Sequence, residues 1–370
     1  MASIYPVVLL LCFSCICRKD NIKLLVGNYA KTGENGLSLF DFNPKEVGLV
    51  KLSESDAGPN PSYFCVSIKN GLIYAANEVN DFKGVKGGGI TTLKYNDKSG
   101  IIEKISELNV PNGGPCFISL SPGEDYLFMA NYAGGSVAVV RLDDKGIPIS
   151  IADLIIYKEA EGKVSHAHMI ASGPSGKRVY VTDLGLNRVV IYNFNSSTGQ
   201  LQQIQNGIVS LPEGAGPRHF VFNSDGSKMY VINELNSTIA VFNVNDNGEL
   251  SLIQSLTTLS EGLNGKSYCA DIHLGKNGNY IYGSNRGENT IVTFRIESGG
   301  TLSLAGHTYC GGNWPRNFVI DPSGEYILVG NQRSGDISLL KIDKKTGVPI
   351  LTTTNMRIYS PACLKFSTIK

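Results

Sequence analysis

Four residues have the types that anion binding and proton transfer require: His168 in "SHAH" (165 to 168), Arg218 in "GPRH" (216 to 219), Glu234 in "NELN" (233 to 236) and Arg286 in "NRGEN" (285 to 289). An imidazole or a carboxylate can take a proton from water or from a bound molecule. A guanidinium presents a planar fork that fits carboxylate or phosphate bidentately and can stabilise a developing oxyanion. His166, His219, Asn236, Arg316 in "WPRN" and Gln332 in "NQRS" lie in the same motifs or in closely similar ones, and are candidate substrate-binding residues. Each also has a structural reading: a histidine hydrogen-bonded within the framework, an arginine capping a neighbouring loop, a glutamate bonded to loop amides. The five histidines, with His273 and His307, show no HExxH or other metal-ligand spacing, and His166 and His168 alone form a weak pair. "KGGGI" (86 to 90) lacks the Lys-Ser/Thr ending of a phosphate-binding loop, and neither a nucleophile elbow nor a dinucleotide fingerprint occurs.

The elements that position these residues repeat. Turn signals at Asn70-Gly71, Pro122-Gly123, Ser175-Gly176, Asp225-Gly226, Asn277-Gly278 and Ser323-Gly324 each precede a short run rich in Tyr, Val and Ile. After each run comes a polar pair at matching register: Asn77-Glu78, Asn131-Tyr132, Asp183-Leu184, Asn233-Glu234, Asn285-Arg286 and Asn331-Gln332, with a seventh copy at Asn28-Tyr29. A second set of turns, "NPKEVG", "NDKSG", "LDDKG", "NSSTG", "VNDNG", "ESGG" and "DKKTG", follows the third strand of each unit. Four short strands in about 50 residues are the size of a propeller blade. The chain is therefore expected to be all-β, a seven-bladed β-propeller over residues 21 to 370. Residues 359 to 367 read as a first strand without a second, and residues 22 to 29 as a second strand without a first. Pairing the N- and C-terminal strands closes the ring and removes exposed sheet edges.

Strands alternate direction within a blade, so the start of the first strand and the loop after the second share one face. That places Arg218 and His219 beside Glu234 although a hairpin separates them, and gathers "SHAH", "NRGEN", "WPRN" and "NQRS" on the same face around the central channel. The corresponding positions "PNP" (59 to 61) and "GPC" (114 to 116) lack ionisable groups, an asymmetry that a purely structural repeat would not need.

The formal net charge of +1 and 18% charged residues give no bulk attraction for nucleic acid. The first 17 residues, MASIYPVVLLLCFSCIC, form an apolar run too short to span a bilayer, followed by Arg18-Lys19-Asp20. Residues 1 to 20 read as a secretion leader, with Cys15 a possible lipid anchor; this predicts a periplasmic or cell-envelope location, the alternative being a cytoplasmic protein with a buried or frayed first segment. Cys65, Cys116, Cys269, Cys310 and Cys363 remain, an odd number without CxxC spacing, and four of them sit in or beside apolar runs as small hydrophobes.

The stretches "AGPRHFVFNSDGSKMYVINELNSTIAVF" (215 to 242), "YCADIHLGKNGNYIYGSNRGENTIVTF" (268 to 294) and "WPRNFVIDPSGEYILVGNQRSGDISLL" (314 to 340) resemble the lactonase propeller family. That family includes bacterial propeller-type 6-phosphogluconolactonases and fungal 3-carboxy-cis,cis-muconate lactonizing enzymes. The resemblance runs through the chain after the leader. It implies a seven-bladed fold, no metal or organic cofactor, a small anionic lactone as substrate, and a site of one His, two Arg and one Glu, matching His168, Arg218, Arg286 and Glu234. The leading expectation is hydrolysis of 6-phospho-D-glucono-1,5-lactone to 6-phosphogluconate in the pentose phosphate pathway. His168 would activate water, oriented by Glu234, while Arg218 and Arg286 hold the oxyanion and the substrate anion; Glu234 as base with His168 as donor is the converse. A muconate-type or other sugar-lactone enzyme is the second reading, and a non-catalytic binding propeller the third. "HAHMIASGPSGK" departs from the family in lacking the usual Pro-Asp of that turn.

Overall fold

The computed structural model describes residues 22–96, 100–159, 162–263 and 265–367. The leader, Cys15 and the middle of the "NDKSG" turn lie outside the described residues. Seven four-stranded antiparallel sheets form the blades, each ordered A-B-C-D outward from the channel. Blade 1 is the one that carries Asn28 and Tyr29. In blade 5 the strands are Pro217–Phe222, Lys228–Asn233, Thr238–Val244 and Leu250–Thr257. Strand B there, KMYVIN, is buried almost throughout because both its faces pack on neighbouring blades, whereas strand D exposes most of its residues. Two-sided burial replaces the simple alternation of a half-exposed strand.

The termini pair as expected. Ile22–Asn28 is strand B of blade 1 and Pro361–Ser367 its strand A, antiparallel, with Leu24 opposite Phe366 and Val26 opposite Leu364. Apolar clusters fill the space between successive blades; Phe40, Phe42 and Leu24 of blade 1, for example, pack on Leu328 and Leu339 of blade 7. Hydrogen bonds staple the same seams. Tyr74, Tyr180, Tyr230 and Tyr282 on strands B donate their hydroxyls to the carbonyls of Gly146, Gly248, Gly300 and Gly347 in the C–D turn of the next blade, at 2.7 to 2.9 Å. Each acceptor glycine has φ between +74° and +85°, the conformation that turns its carbonyl toward the neighbour.

Two features depart from the repeat. Blade 2 carries a small hairpin, Asp81–Phe82 with Val85–Lys86, in its B–C loop. Gly89 of "KGGGI" serves its packing, since a Cβ there would meet the Phe82 ring at 2.4 Å. In blade 3 the A–B turn puts positive φ on Glu124 and not on Gly123. The cysteines outside the leader are unpaired; Cys116, Cys269, Cys310 and Cys363 are buried and Cys65 half-buried. Burial pushes the Cys65, Cys269 and Cys310 thiols up to about 12, which suppresses thiolate chemistry. Among the described residues no helix is long and apolar enough to cross a membrane.

Candidate active site

Strand A carries a β-bulge near its start in every blade. The ladder passes over Ser62, Cys116, His168, Arg218 and Arg316, over Ala362 in blade 1, and over the Ala270-Asp271 pair in blade 6. A bulge breaks the period of two and re-aims side chains. Arg218 and His219 therefore reach the same space although adjacent in sequence: Arg218 Nη1 lies 3.4 Å from His219 Nε2. The B–C loops supply the second ring of residues. In each polar pair the first residue is a buried anchor, as where Asn233 donates to Thr238 Oγ1 at 2.9 Å.

At the centre Glu234 Oε2 forms ion pairs with Arg218 Nε at 2.9 Å and Arg286 Nη2 at 2.7 Å. Both guanidiniums are buried and anchored on backbone: Arg218 Nη1 donates to Ala270 O, and Arg286 donates to Tyr268 O at 3.3 Å and Cys269 O at 3.0 Å. Burial raises the Glu234 carboxyl, but Arg286 and Arg218 outweigh it and hold the group below its ordinary value. Burial first, then Arg218, brings Arg286 down to about 10, still cationic at neutral pH. The Trp314 ring, at a backbone φ of +68°, lies beside the guanidiniums of Arg286, 5.3 Å from its centroid, and Arg333, 3.2 Å away.

His168 is buried beside this cluster, 5.1 Å between ring centroids from His219 and 5.7 Å from Tyr132. Its Nδ1 has no hydrogen-bond partner. Burial, then the charges of Arg218, His219, Arg316 and Arg286, hold its pKa well below the usual value, so the ring is neutral. The orientation of His168 by Glu234 expected from sequence is not what the structure shows. The carboxylate is drawn to two guanidiniums, which attract it more strongly than a neutral imidazole does.

The other expected residues divide. Arg316 faces the mouth, 3.7 Å from Glu78 Oε2, with its guanidinium 5.3 Å from the centroid of the Tyr29 ring, and Tyr29 donates its hydroxyl to the same Glu78 oxygen at 2.8 Å. His166 precedes strand A and stacks on Tyr132 at 4.4 Å, its Nδ1 3.0 Å from Tyr132 O, so it does not share a face with His168. Asn236 is exposed and accepts a hydrogen bond from Thr238 at 2.8 Å within its own loop. Gln332 stands at the position equivalent to Glu234 and Arg286, its backbone N–H bonded to Trp314 O at 2.9 Å. Among the described residues no group of three His, Cys, Asp or Glu is placed to hold a metal ion.

Residues 23–366 match the family described as lactonase, 7-bladed beta-propeller. The chain belongs to that family. Sequence relatives include a 6-phosphogluconolactonase of Bacillus subtilis, 26% identical over 347 residues that cover 92% of this chain and 97% of the relative. A 6-phosphogluconolactonase of Formosa agariphila is 31% identical, covering 88% and 93%. Among solved structures, a periplasmic gluconolactonase of Pseudomonas aeruginosa superposes with a TM-score of 0.87 at 28% identity, covering 95% of this chain and all of the other.

Three residues of this candidate site were not singled out from sequence: Glu78, Tyr29 and Asp271. Glu78 and Tyr29 occupy the same repeat position as Glu234 and Arg286, so the register signal that marked the latter two also marks them. Asp271 is part of the bulge in blade 6 and is buried. Its carboxylate lies 2.8 Å from His219 Nδ1 and 2.9 Å from His273 Nε2, and accepts from Asn317 Nδ2 as well. His219, Tyr63 and Phe117 bring together blades 5, 2 and 3, with Tyr63 and Phe117 stacked at 4.2 Å and His219 edge-on to both.

Proposed function

We propose that the protein hydrolyses 6-phospho-D-glucono-1,5-lactone to 6-phosphogluconate, the lactone-opening reaction of the pentose phosphate pathway. One observation carries this most: two anchored, buried guanidiniums meet at a single carboxylate oxygen beside a neutral buried imidazole, at the channel mouth of a lactonase-family propeller. Attack of water on a lactone carbonyl builds negative charge on the carbonyl oxygen. Donors already fixed in place stabilise that charge without reorganising. Arg218 and Arg286 are held by backbone carbonyls and by Glu234, and Arg316 adds a third cation for the phosphate of the substrate. Two neutral imidazoles, His168 and His219, border them, and the neutral form is the one that accepts a proton.

A second reading, an unphosphorylated sugar lactone, draws on Glu234 and Glu78 offsetting part of the arginine charge, and on the likeness to the Pseudomonas gluconolactonase. Comparing turnover of phosphorylated and unphosphorylated glucono-1,5-lactone, each corrected for spontaneous opening, tests both. Higher kcat/KM for the phosphorylated lactone is expected; preference for the unphosphorylated one selects the second reading, and turnover of neither removes both.

A location outside the cytoplasm belongs to the same proposal, supported by the apolar run before Arg18. Intact-mass measurement of the protein from its native cell should show a chain starting between Cys15 and Asn21; a full-length chain in the cytosolic fraction would overturn it.

A further inference from the structure

The two buried imidazoles are held in different ways. Asp271, an ionised carboxylate, can only accept hydrogen bonds. It receives Phe318 N–H at 3.3 Å and Ile272 N–H at 3.1 Å besides Asn317, His273 and His219. His219 must therefore present Nδ1–H to it, which leaves Nε2 as a bare lone pair. That Nε2 accepts from Arg218 Nη1–H at 3.4 Å, a contact long enough for a water to take up the Nε2 lone pair in its place. His168 has the opposite arrangement. Its Nδ1 is buried without a partner, and a buried N–H there would be an unpaired donor, so the proton of the neutral ring sits on Nε2.

We propose that His219 is the general base of the lactonase reaction, that Asp271 is the residue that positions it, and that His168 is a hydrogen-bond donor to the substrate. The inference rests on the lactonase reading above. His219 Nε2 takes a proton from water as the water oxygen bonds to the lactone carbonyl carbon. The carbonyl π electrons move to the carbonyl oxygen, beside Arg218 and Arg286. When the tetrahedral intermediate collapses, the bond from that carbon to the ring oxygen breaks and the ring oxygen takes the proton back from His219 Nε2–H as a hydroxyl. The new carboxylic acid then loses its proton to solvent. His168 gives a hydrogen bond throughout and transfers no proton.

The groups facing His219 are Arg218 on its own strand, His168 from blade 4, Asp271 and His273 from blade 6, and Tyr63 from blade 2, over whose ring Lys365 of blade 1 sits at 4.7 Å. Burial first and Arg218 second hold His219 at about 4, against the upward pull of Asp271. A developing oxyanion nearby raises it as the proton arrives.

The test has two arms on the full chain. In protein with 15N-labelled histidine, a long-range ring 15N–1H spectrum at neutral pH should show His219, identified by the signal lost in His219→Gln, protonated on Nδ1 and bare on Nε2. A proton on Nε2 would overturn the proposal, and this measurement uses the unmutated protein, so it stands even if Asp271→Asn fails to fold. In steady-state kinetics His219→Gln should lower kcat by roughly a hundredfold to ten-thousandfold with KM little changed, and His168→Gln should lower it less. In Asp271→Asn, kcat should fall and the acid limb of the pH profile should move to lower pH, because the carboxylate that raises the imidazole is gone. Near-normal kcat in folded His219→Gln removes the base and leaves the lactonase reading intact. If the unmutated chain opens neither lactone, the reading and the base fall together.

Discussion

Glu234 Oε2 lies 2.7 Å from Nη2 of Arg286, and the same oxygen meets Arg218 Nε at 2.9 Å. One carboxylate thus holds two cations from different blades at a fixed spacing. Arg286→Ala or Arg218→Ala should raise KM for the phosphorylated lactone, and one of them should also lower kcat by the equivalent of about 2 to 4 kcal/mol for an oxyanion donor. Turnover at the unmutated level in both variants would separate the pair from the reaction.

Replacing Glu234 by Gln keeps the shape and removes the charge that balances both guanidiniums. Breaking a buried ion pair from one side costs on the order of 3 kcal/mol, less here because Glu234 is 18% exposed. Glu234→Gln should therefore lower the urea midpoint as well as kcat. An unchanged midpoint would show that solvent replaces the lost charge.

Trp314 is the chain's single tryptophan and its ring contacts the guanidiniums of Arg286 and Arg333. Binding of 6-phosphogluconate or inorganic phosphate at the arginines should change its fluorescence in a saturable way, and Arg286→Ala should weaken the response. A spectrum indifferent to both anions would place their binding elsewhere.

Acid should weaken the fold through its neutral histidines. Folded-state pKa values of His168 and His219 are depressed, His219 to about 4, while unfolded histidine titrates near 6.5. The unfolded chain then binds more protons below that pH. Stability is complete above about pH 6.5 and falls as the pH drops toward 4, with His219 alone worth at most on the order of 3 kcal/mol. Asp271, held well below its usual value by His273 and His219 against the opposing effect of burial, adds stability that is lost only below about pH 4. Denaturant midpoints measured from pH 7.5 to 4.5 should decline; a flat series would mean these histidines are charged when folded.

Deleting residues 359 to 370 removes strand A of blade 1 and bares the edge of Ile22–Asn28. Aggregation or loss of a single cooperative transition is expected. A soluble truncation with an unchanged melting curve would contradict the ring closure.

Much of this was legible in the chain alone. Turn signals about every 50 residues, four apolar runs per unit and two complementary half-units at the ends determine a closed seven-bladed ring. Strand alternation then brings His168, Arg218, Glu234, Arg286 and Arg316 to one face, because a connection of known parity must return the chain to the side it left. What the tertiary structure decided is which of these groups hold one another. Glu234 binds two arginines where sequence suggested an imidazole, and Asp271, inside the unremarkable run "CADIH", holds His219. Arg316 of blade 7 meets Tyr29 of blade 1, its neighbour only because the ring closes, and Glu78 of blade 2 beyond it. The physical reason is twofold. The partners come from different blades, so no local pattern relates them, and the bulges at His168, Arg218 and Arg316 turn side chains away from the direction that a period of two assigns.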